Sequence, residues 1–376
     1  MQKMKVYLDN GATTKADEKV VAEMKKVLVS EYGNPSSLHS FGERAKELLE
    51  KSRKTVADEF GAGSDEIIFT SGGTESNNLA IKGLLSKTEK KHVITTKIEH
   101  PSVYNTCKSL KGYKVSYVGV DSEGFVKLDE LEKLITKDTA LVSVIHGNNE
   151  VGVIQDIEKI GKICKKHKVF FHVDAVQSFT KVPIDVKNVT TLSISSHKIH
   201  GPKGVGALYI KRGVRVGSLV YGGHQERDVR PGTENLPGIV GFAKAVEMKQ
   251  PVEQIKKLRE KLTEEILKIP NTKLNGPKER LCNNVNISFM GIEGESLLMM
   301  LNMKGIAVST GSACSSQSLE PSHVLMALGM KHEQAHGSIR FTLSKFTTEQ
   351  DIEYTVKELK KIVEKLRRIS PVKNVR

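Results

Sequence analysis

The chain has 376 residues, 38% of them hydrophobic and 27% charged, with 58 Lys and Arg against 44 Asp and Glu for a formal net charge of +14. That length can bury a full core and reads as more than one domain, and the balance of apolar and charged residues excludes a disordered polymer. No apolar run reaches the length of a bilayer span, and Met1 to Lys5 lead straight into a strand-like segment, so no membrane association and a cytoplasmic location are expected.

The basic excess is scattered along helical faces, as at Lys256-Lys257 and Lys360-Lys361, with no interleaved aromatics. It reads as solvated surface first and a face for an acidic partner second; stable nucleic-acid binding is not expected. The four cysteines, Cys107, Cys164, Cys282 and Cys314, form no CxxC pair, so neither a disulfide framework nor a zinc site is supported, which fits a reducing compartment.

From about Asp17 to Gln250, helical periodicity alternates with short β-branched runs, the pattern of βα units on a largely parallel sheet. In chain order, strands are predicted at Ile67 to Phe69, His92 to Thr95, Leu141 to Ile145, Val169 to Val173, Leu192 to Ile194 and Ala207 to Ile210. Helices are predicted at Thr74 to Leu85, Ser102 to Lys111, Leu128 to Ile135 and Ile157 to His167. The texture changes near Pro251, where a second domain begins with a long amphipathic helix, Val252 to Ile269. A strand at Val285 to Phe289, a helix at Gly294 to Met303, a strand near Ile339 to Leu343 and a terminal helix from Thr348 to Arg368 follow. The fold class is therefore α/β, and ligands on such sheets bind at the carboxyl ends of the strands.

Three features at those ends carry chemistry. Ser195-Ser196-His197-Lys198 places a lysine beside small hydroxyl residues, where desolvation lowers its pKa and lets it condense with a carbonyl cofactor. A surface or phosphate-contacting lysine is the competing reading. Asp174 ends another strand and can keep a pyridine nitrogen protonated, although an aspartate there also caps turns. Thr70-Ser71-Gly72-Gly73-Thr74 joins a strand to a helix, a cradle for phosphate that ordinary N-capping explains equally well. No Walker lysine or GxGxxG pattern points to a nucleotide.

His100 stands at a strand-to-helix junction, where it can stack on a cofactor ring and shuttle protons, or simply enter the helix. A metal site built from His172, His197 and Asp174 is rejected for want of ligand spacing. Cys314 lies in Ser309-Thr310-Gly311-Ser312-Ala313-Cys314-Ser315-Ser316, a run with little to pack, and reads as a nucleophile on a mobile loop. Arg340, alone within a strand, suits a substrate carboxylate or a structural ion pair.

Together these residues resemble the cysteine desulfurases of the NifS/IscS-like group, class V aminotransferases that depend on pyridoxal 5'-phosphate (PLP). The resemblance runs nearly end to end, through Tyr7-Leu8-Asp9-Asn10-Gly11-Ala12-Thr13-Thr14, Gly33-Asn34-Pro35, the GGTES turn, His146-Gly147-Asn148-Asn149-Glu150, HVDAVQS, SSHKIHGPKG, Arg230-Pro231-Gly232-Thr233-Glu234, STGSACSS and Leu319-Glu320-Pro321-Ser322-His323. It implies the PLP-dependent transferase fold of the aspartate aminotransferase type. Residues 15–251 would form a large, mostly parallel-sheet domain; residues 1–14 and 252–376 would form a smaller α+β domain carrying the cysteine loop.

By the same resemblance, Lys198 would hold PLP and later move the substrate Cα proton, Asp174 would face the ring nitrogen, and Asn149 and Gln177 would address the phenolic oxygen. His100 would stack on the ring. Gly73, Thr74, Ser195 and His197 would hold the phosphate, with Thr233 arriving from the other subunit of a homodimer. Arg340, with Asn34 assisting, would bind the carboxylate of L-cysteine. Cys314 would take the sulfur as a persulfide, L-alanine would leave, and an iron-sulfur scaffold protein or another acceptor, such as the machinery of tRNA thiolation, would receive the sulfur. The Ser-rich stretch before Leu319 resembles the group with an extended cysteine loop, whereas the short tail after Pro371 leaves the docking of a scaffold open. A selenocysteine lyase or another class V PLP lyase or aminotransferase is the alternative, and an inactive basic RNA- or protein-binding module a more distant one.

Overall fold

The computed structural model describes residues 4–310 and 321–369. The strands in chain order begin with β1 (Val6–Tyr7), β2 (Ile67–Thr70), β3 (His92–Thr96), β4 (Lys114–Val118), β5 (Thr139–Ile145), β6 (Phe170–Asp174), β7 (Thr191–Ser195) and β8 (Gly206–Ile210). They continue with β9 (Thr272–Leu274), β10 (Asn284–Phe289), β11 (Ile306–Ala307), β12 (Ser309–Thr310) and β13 (Ser338–Thr342). Seven of them form one sheet in the order β2-β8-β7-β6-β5-β3-β4. All its pairings are parallel except the two made by β8.

The central strands are buried along their length except for the half-buried Phe170 that opens β6, which is why they read in the sequence as apolar, β-branched runs. Helices cover them through apolar stripes. Ile157–Lys166 buries Ile157, Ile160, Gly161 and Cys164, the first, fourth, fifth and eighth residues of one helical face, and starts where the Asp156 carboxylate accepts from the Lys159 amide. Helices Glu18–Ser30 and Ser40–Asp58 were not singled out in the sequence. Both pack on Leu236–Glu247 and share the large core around Ile94, Val144, Phe171 and Phe242.

A second core gathers Leu262, Val285, Phe289, Leu301, Phe341 and Leu359 under helices Val252–Leu267, Gly294–Met303 and Glu349–Ile369. Its sheet is antiparallel, in the order β12-β13-β10-β9. The N-terminal residues Val6 and Leu8 belong to this core, because β1 pairs in parallel with β11. Just beyond β1, the chain crosses to the large sheet, where the Thr14 amide donates to the His197 carbonyl at 3.0 Å.

Candidate active site

The carboxyl ends of the strands converge on a cavity of about 320 Å³, a volume suited to a small ligand. β2 leads into Gly73 and Thr74, β3 into His100, β5 into Ile145 and Asn149, β6 into Asp174, Val176 and Gln177, and β7 into Ser195, His197 and Lys198. Gly11, Ala12 and Arg340 close it from the second core. The register explains the convergence, since Ile145 pairs with Asp174 and Asp174 with Ser193, while Ser195 and Thr70 both face Gly206.

At one end of the cavity stands the N-terminus of helix Gly73–Leu85, preceded by Gly72 at φ 154°, a conformation kept for glycine. Gly206 lets this turn approach, because a Cβ there would lie 2.7 Å from the Gly72 Cα; one on Gly73 would lie 2.6 Å from Val176 Cγ2. Beside this turn, Ser195 offers a buried hydroxyl with no partner. His197 Nδ1 pairs with Thr13 Oγ1 at 3.1 Å, and burial, reinforced by Lys198, Lys203 and Lys181, pushes its imidazole down to about 4. A neutral imidazole, a bare hydroxyl and a helix N-terminus are donors matched to a phosphate.

Toward the other end, Asp174 is 2% exposed and accepts from Asn77 Nδ2 at 2.8 Å and from the Val176 amide at 3.0 Å. The Lys198 ammonium donates to the Gly11 and Ala12 carbonyls at 2.6 and 2.7 Å. Gln177 sends its amide to the Gly11 carbonyl at 2.8 Å. His100 caps helix Pro101–Lys108, and its Nδ1 meets Ser102 Oγ at 2.7 Å. Burial lowers its pKa; Lys198, His323 and Arg340 push the same way, against Asp174. Arg340 forms the structural ion pair, with Nη2 bonding Asp9 at 2.9 Å and Nη1 the Asn149 carbonyl at 3.0 Å, while its buried Nε has no partner.

Two predicted residues stand elsewhere. Asn34 is exposed and accepts from the Ser36 amide within its own turn, outside the cavity lining. Thr233 is also exposed, although Arg230 of the same motif bonds Glu75 at 2.9 Å at the helix N-terminus. Cys314 lies outside the described residues. The three described cysteines are buried, and burial drives the thiols of Cys107 and Cys164 up to about 12 and raises that of Cys282. His172 is no ligand: it bonds Thr191 Oγ1 and Asn77 Oδ1 at 2.9 and 3.0 Å inside the core. Among the described residues no cluster of three or more His, Cys, Asp and Glu could hold a metal.

Asn77 and Ser102 line the cavity without having been predicted. A signal existed for Asn77, which lies four positions after Gly73 on the same helix face.

A lysine, a carboxylate and a phosphate cradle around one cavity define a pocket for an aldehyde cofactor with an aromatic ring. The chain belongs to the class-V aminotransferase family, whose model matches residues 6–355. Among curated proteins it is 50% identical to "Cysteine desulfurase IscS" of Dictyoglomus turgidum, over 99% of this chain and 98% of that one. It is also 50% identical to the protein of the same name from Methanosarcina thermophila, over 98% and 94%. Of solved structures, a "NIFS-LIKE PROTEIN" aligns with a TM-score of 0.91 at 42% identity, covering 96% of this chain and 100% of that one. The family is PLP-dependent, and the partnerless Ser195 hydroxyl, the Gly72-Gly73 turn and the Lys198 and Asp174 side chains lining one cavity fit that cofactor.

Proposed function

We infer that this chain is a PLP-dependent cysteine desulfurase that converts L-cysteine to L-alanine and carries the sulfur as a persulfide on Cys314. The observation that carries the reading is the gathering of Lys198, Asp174, the Gly73–Leu85 helix N-terminus and the unsatisfied Arg340 Nε on one cavity. Relatives half identical over nearly the full length, named for the same activity, support it. Bound PLP supplies an electron sink that weakens bonds at the substrate's Cα and Cβ.

Gly73, Thr74, Ser195 and His197 would hold its phosphate, Asn149 and Gln177 would border its phenolic oxygen, and Asp174 would keep its ring nitrogen protonated. Arg340 would bind the substrate carboxylate through Nε. Lys198 would move the Cα proton, and His100 would hold or deliver a second one. Cys314 would attack the substrate sulfur: an S–S bond forms, the C–S bond breaks, and L-cysteine plus a thiol becomes L-alanine plus a persulfide. Three buried, high-pKa cysteines support assigning this role to the fourth.

Thr233, exposed beside the Glu75–Arg230 pair, would reach the phosphate of a second subunit in a homodimer. An iron-sulfur scaffold protein, or the machinery of tRNA thiolation, would take the sulfur in a cytoplasmic setting. The test is mass spectrometry of protein incubated with L-cysteine. One added sulfur on Cys314 with equimolar alanine is expected; alanine formed at the wild-type rate by Cys314→Ala would refute the assignment.

A further inference from the structure

Asn77 stands one turn into helix Gly73–Leu85 and is 1% exposed. Its side chain uses every polar atom. Oδ1 meets His172 Nε2 at 3.0 Å, and Nδ2 donates to Asp174 Oδ2 and to Ser102 Oγ, each at 2.8 Å. The directions follow from one group, since an ionised carboxylate can only accept. The amide nitrogen must therefore face Asp174, and the amide oxygen must take a hydrogen from His172 Nε2. Burial pushes His172 down to about 3, so that ring is neutral and its Nδ1 accepts from Thr191 Oγ1.

On the far side, Ser102 Oγ receives a hydrogen from Asn77 and turns its own hydroxyl hydrogen toward His100 Nδ1, 2.7 Å away. The Ser102 backbone amide, which can only donate, points at the same nitrogen from 3.1 Å. Two donors on Nδ1 leave Nε2 as the place for the imidazole proton. A hydroxyl that accepts one hydrogen bond also donates the next more strongly.

We propose that Asn77 is a positioning residue for the reaction: its two amide hydrogens join the Asp174 carboxylate to Ser102, and through Ser102 they hold His100 as the neutral Nε2–H form, a donor toward the cavity. The proposal rests on the reading of His100 as a group that holds or delivers a proton, and says what it presents at rest: a hydrogen-bond donor on Nε2, with no imidazolium proton to give until the ring has taken one up. The charged and titratable groups facing it agree, because Lys198, His323 and Arg340 oppose an imidazolium and only Asp174 favours one.

The experiment is NMR of the holoenzyme carrying isotopically labelled histidine, with the His100 signals assigned by their loss in His100→Gln, beside an absorbance titration of bound PLP. In the wild type His100 should show the Nε2–H form and take up its second ring proton only at a pH below that of a free imidazole. In Asn77→Ala both the His100 titration and the cofactor titration should move, and kcat should fall about tenfold with KM within about twofold, the scale of lost outer-shell support. Ser102→Ala, which leaves the bond from Asn77 to Asp174 in place, should move the His100 titration alone, and it serves if the first variant does not fold. A wild-type His100 protonated on Nδ1 would overturn the proposal, as would a His100 titration unmoved in either variant. Failure of the functional reading would look different: the wild type would release no alanine from cysteine, whatever the ring protons show.

Discussion

Two buried polar regions of this molecule differ in what they leave unpaired. At the corner where helix Ser40–Asp58 meets residues 226–228, Arg53 and Glu226 lie 2.7 and 2.9 Å apart in a two-pronged pair. Arg53 also reaches the Ile67 carbonyl and Glu50, its guanidinium lies over Phe69, and Glu226 takes the Phe69 amide. That full satisfaction holds Glu226, Arg227 and Asp228 at φ values of 42°, 58° and 64°, unfavourable for side-chain-bearing residues. The cavity has the opposite character. Ser195 Oγ and Arg340 Nε are buried without partners there, amid residues otherwise held in place by their neighbours. At this corner the buried polar groups are closed among themselves, whereas two of those at the cavity are left open.

Changes at the two places should therefore separate activity from stability. The largest effect is expected for Lys198→Ala, which should lower alanine formation from cysteine by about 10⁴-fold, equivalent to roughly 5 kcal/mol of barrier. The melting temperature should barely move, and calorimetry beside an alanine assay checks both. Glu226→Gln should do the reverse. It strips a buried guanidinium of its charge partner, a loss of about 3–5 kcal/mol that denaturant unfolding would register, and a midpoint matching the wild type would remove the corner's architectural role.

The smallest effect sharpens the comparison at Glu99, a fully buried acid between the two behaviours. Its Oε1 accepts from Thr96 Oγ1 and the Ile145 amide at 2.6 and 2.9 Å, while Oε2 has no partner. Burial raises its pKa from 4.5 to about 8, with Asp174 adding to the rise and the two donors opposing it. The folded state thus binds the proton more tightly than the unfolded one. This contribution to stability is complete below about pH 4.5 and drains away as the pH climbs toward about 8. Glu99→Gln should flatten that slope and leave the protein more stable than the wild type at pH 8. Parallel pH–stability curves for the two proteins would show that the acid is not buried in this way.

Most of the framework was legible in the sequence, because buried parallel strands write themselves as β-branched runs and Asp174, Ser195 and Lys198 stand at or just past strand ends. β4 was missed: Lys-Val-Ser-Tyr-Val at the sheet edge is only partly buried and mixes polar with apolar residues. Helix Leu236–Glu247 was missed as well; its two glycines and early proline lower its helix propensity, and packing against two other helices holds it. Within the site, residue types announced the cofactor chemistry; the spacing from Gly73 put Asn77 on the right helix face, but its partner Asp174, 97 positions away, was out of reach of any local pattern. The paired asparagines also divide in a way no spacing announces. Asn148 is wholly buried and bonds the backbone of Ile98, Glu150 and Val151, leaving Asn149 to face the cavity.

The crossing of the amino-terminal segment governs how such a molecule is born. Leu8 and Asn10 bond to Thr342, and the carbonyls of Gly11 and Ala12 receive Lys198. Made long before its partner, this stretch must wait until residue 342 has been synthesised before it can dock on Thr342. The wall that Gly11, Ala12 and Arg340 give the cavity is therefore completed only after residue 342 has been made.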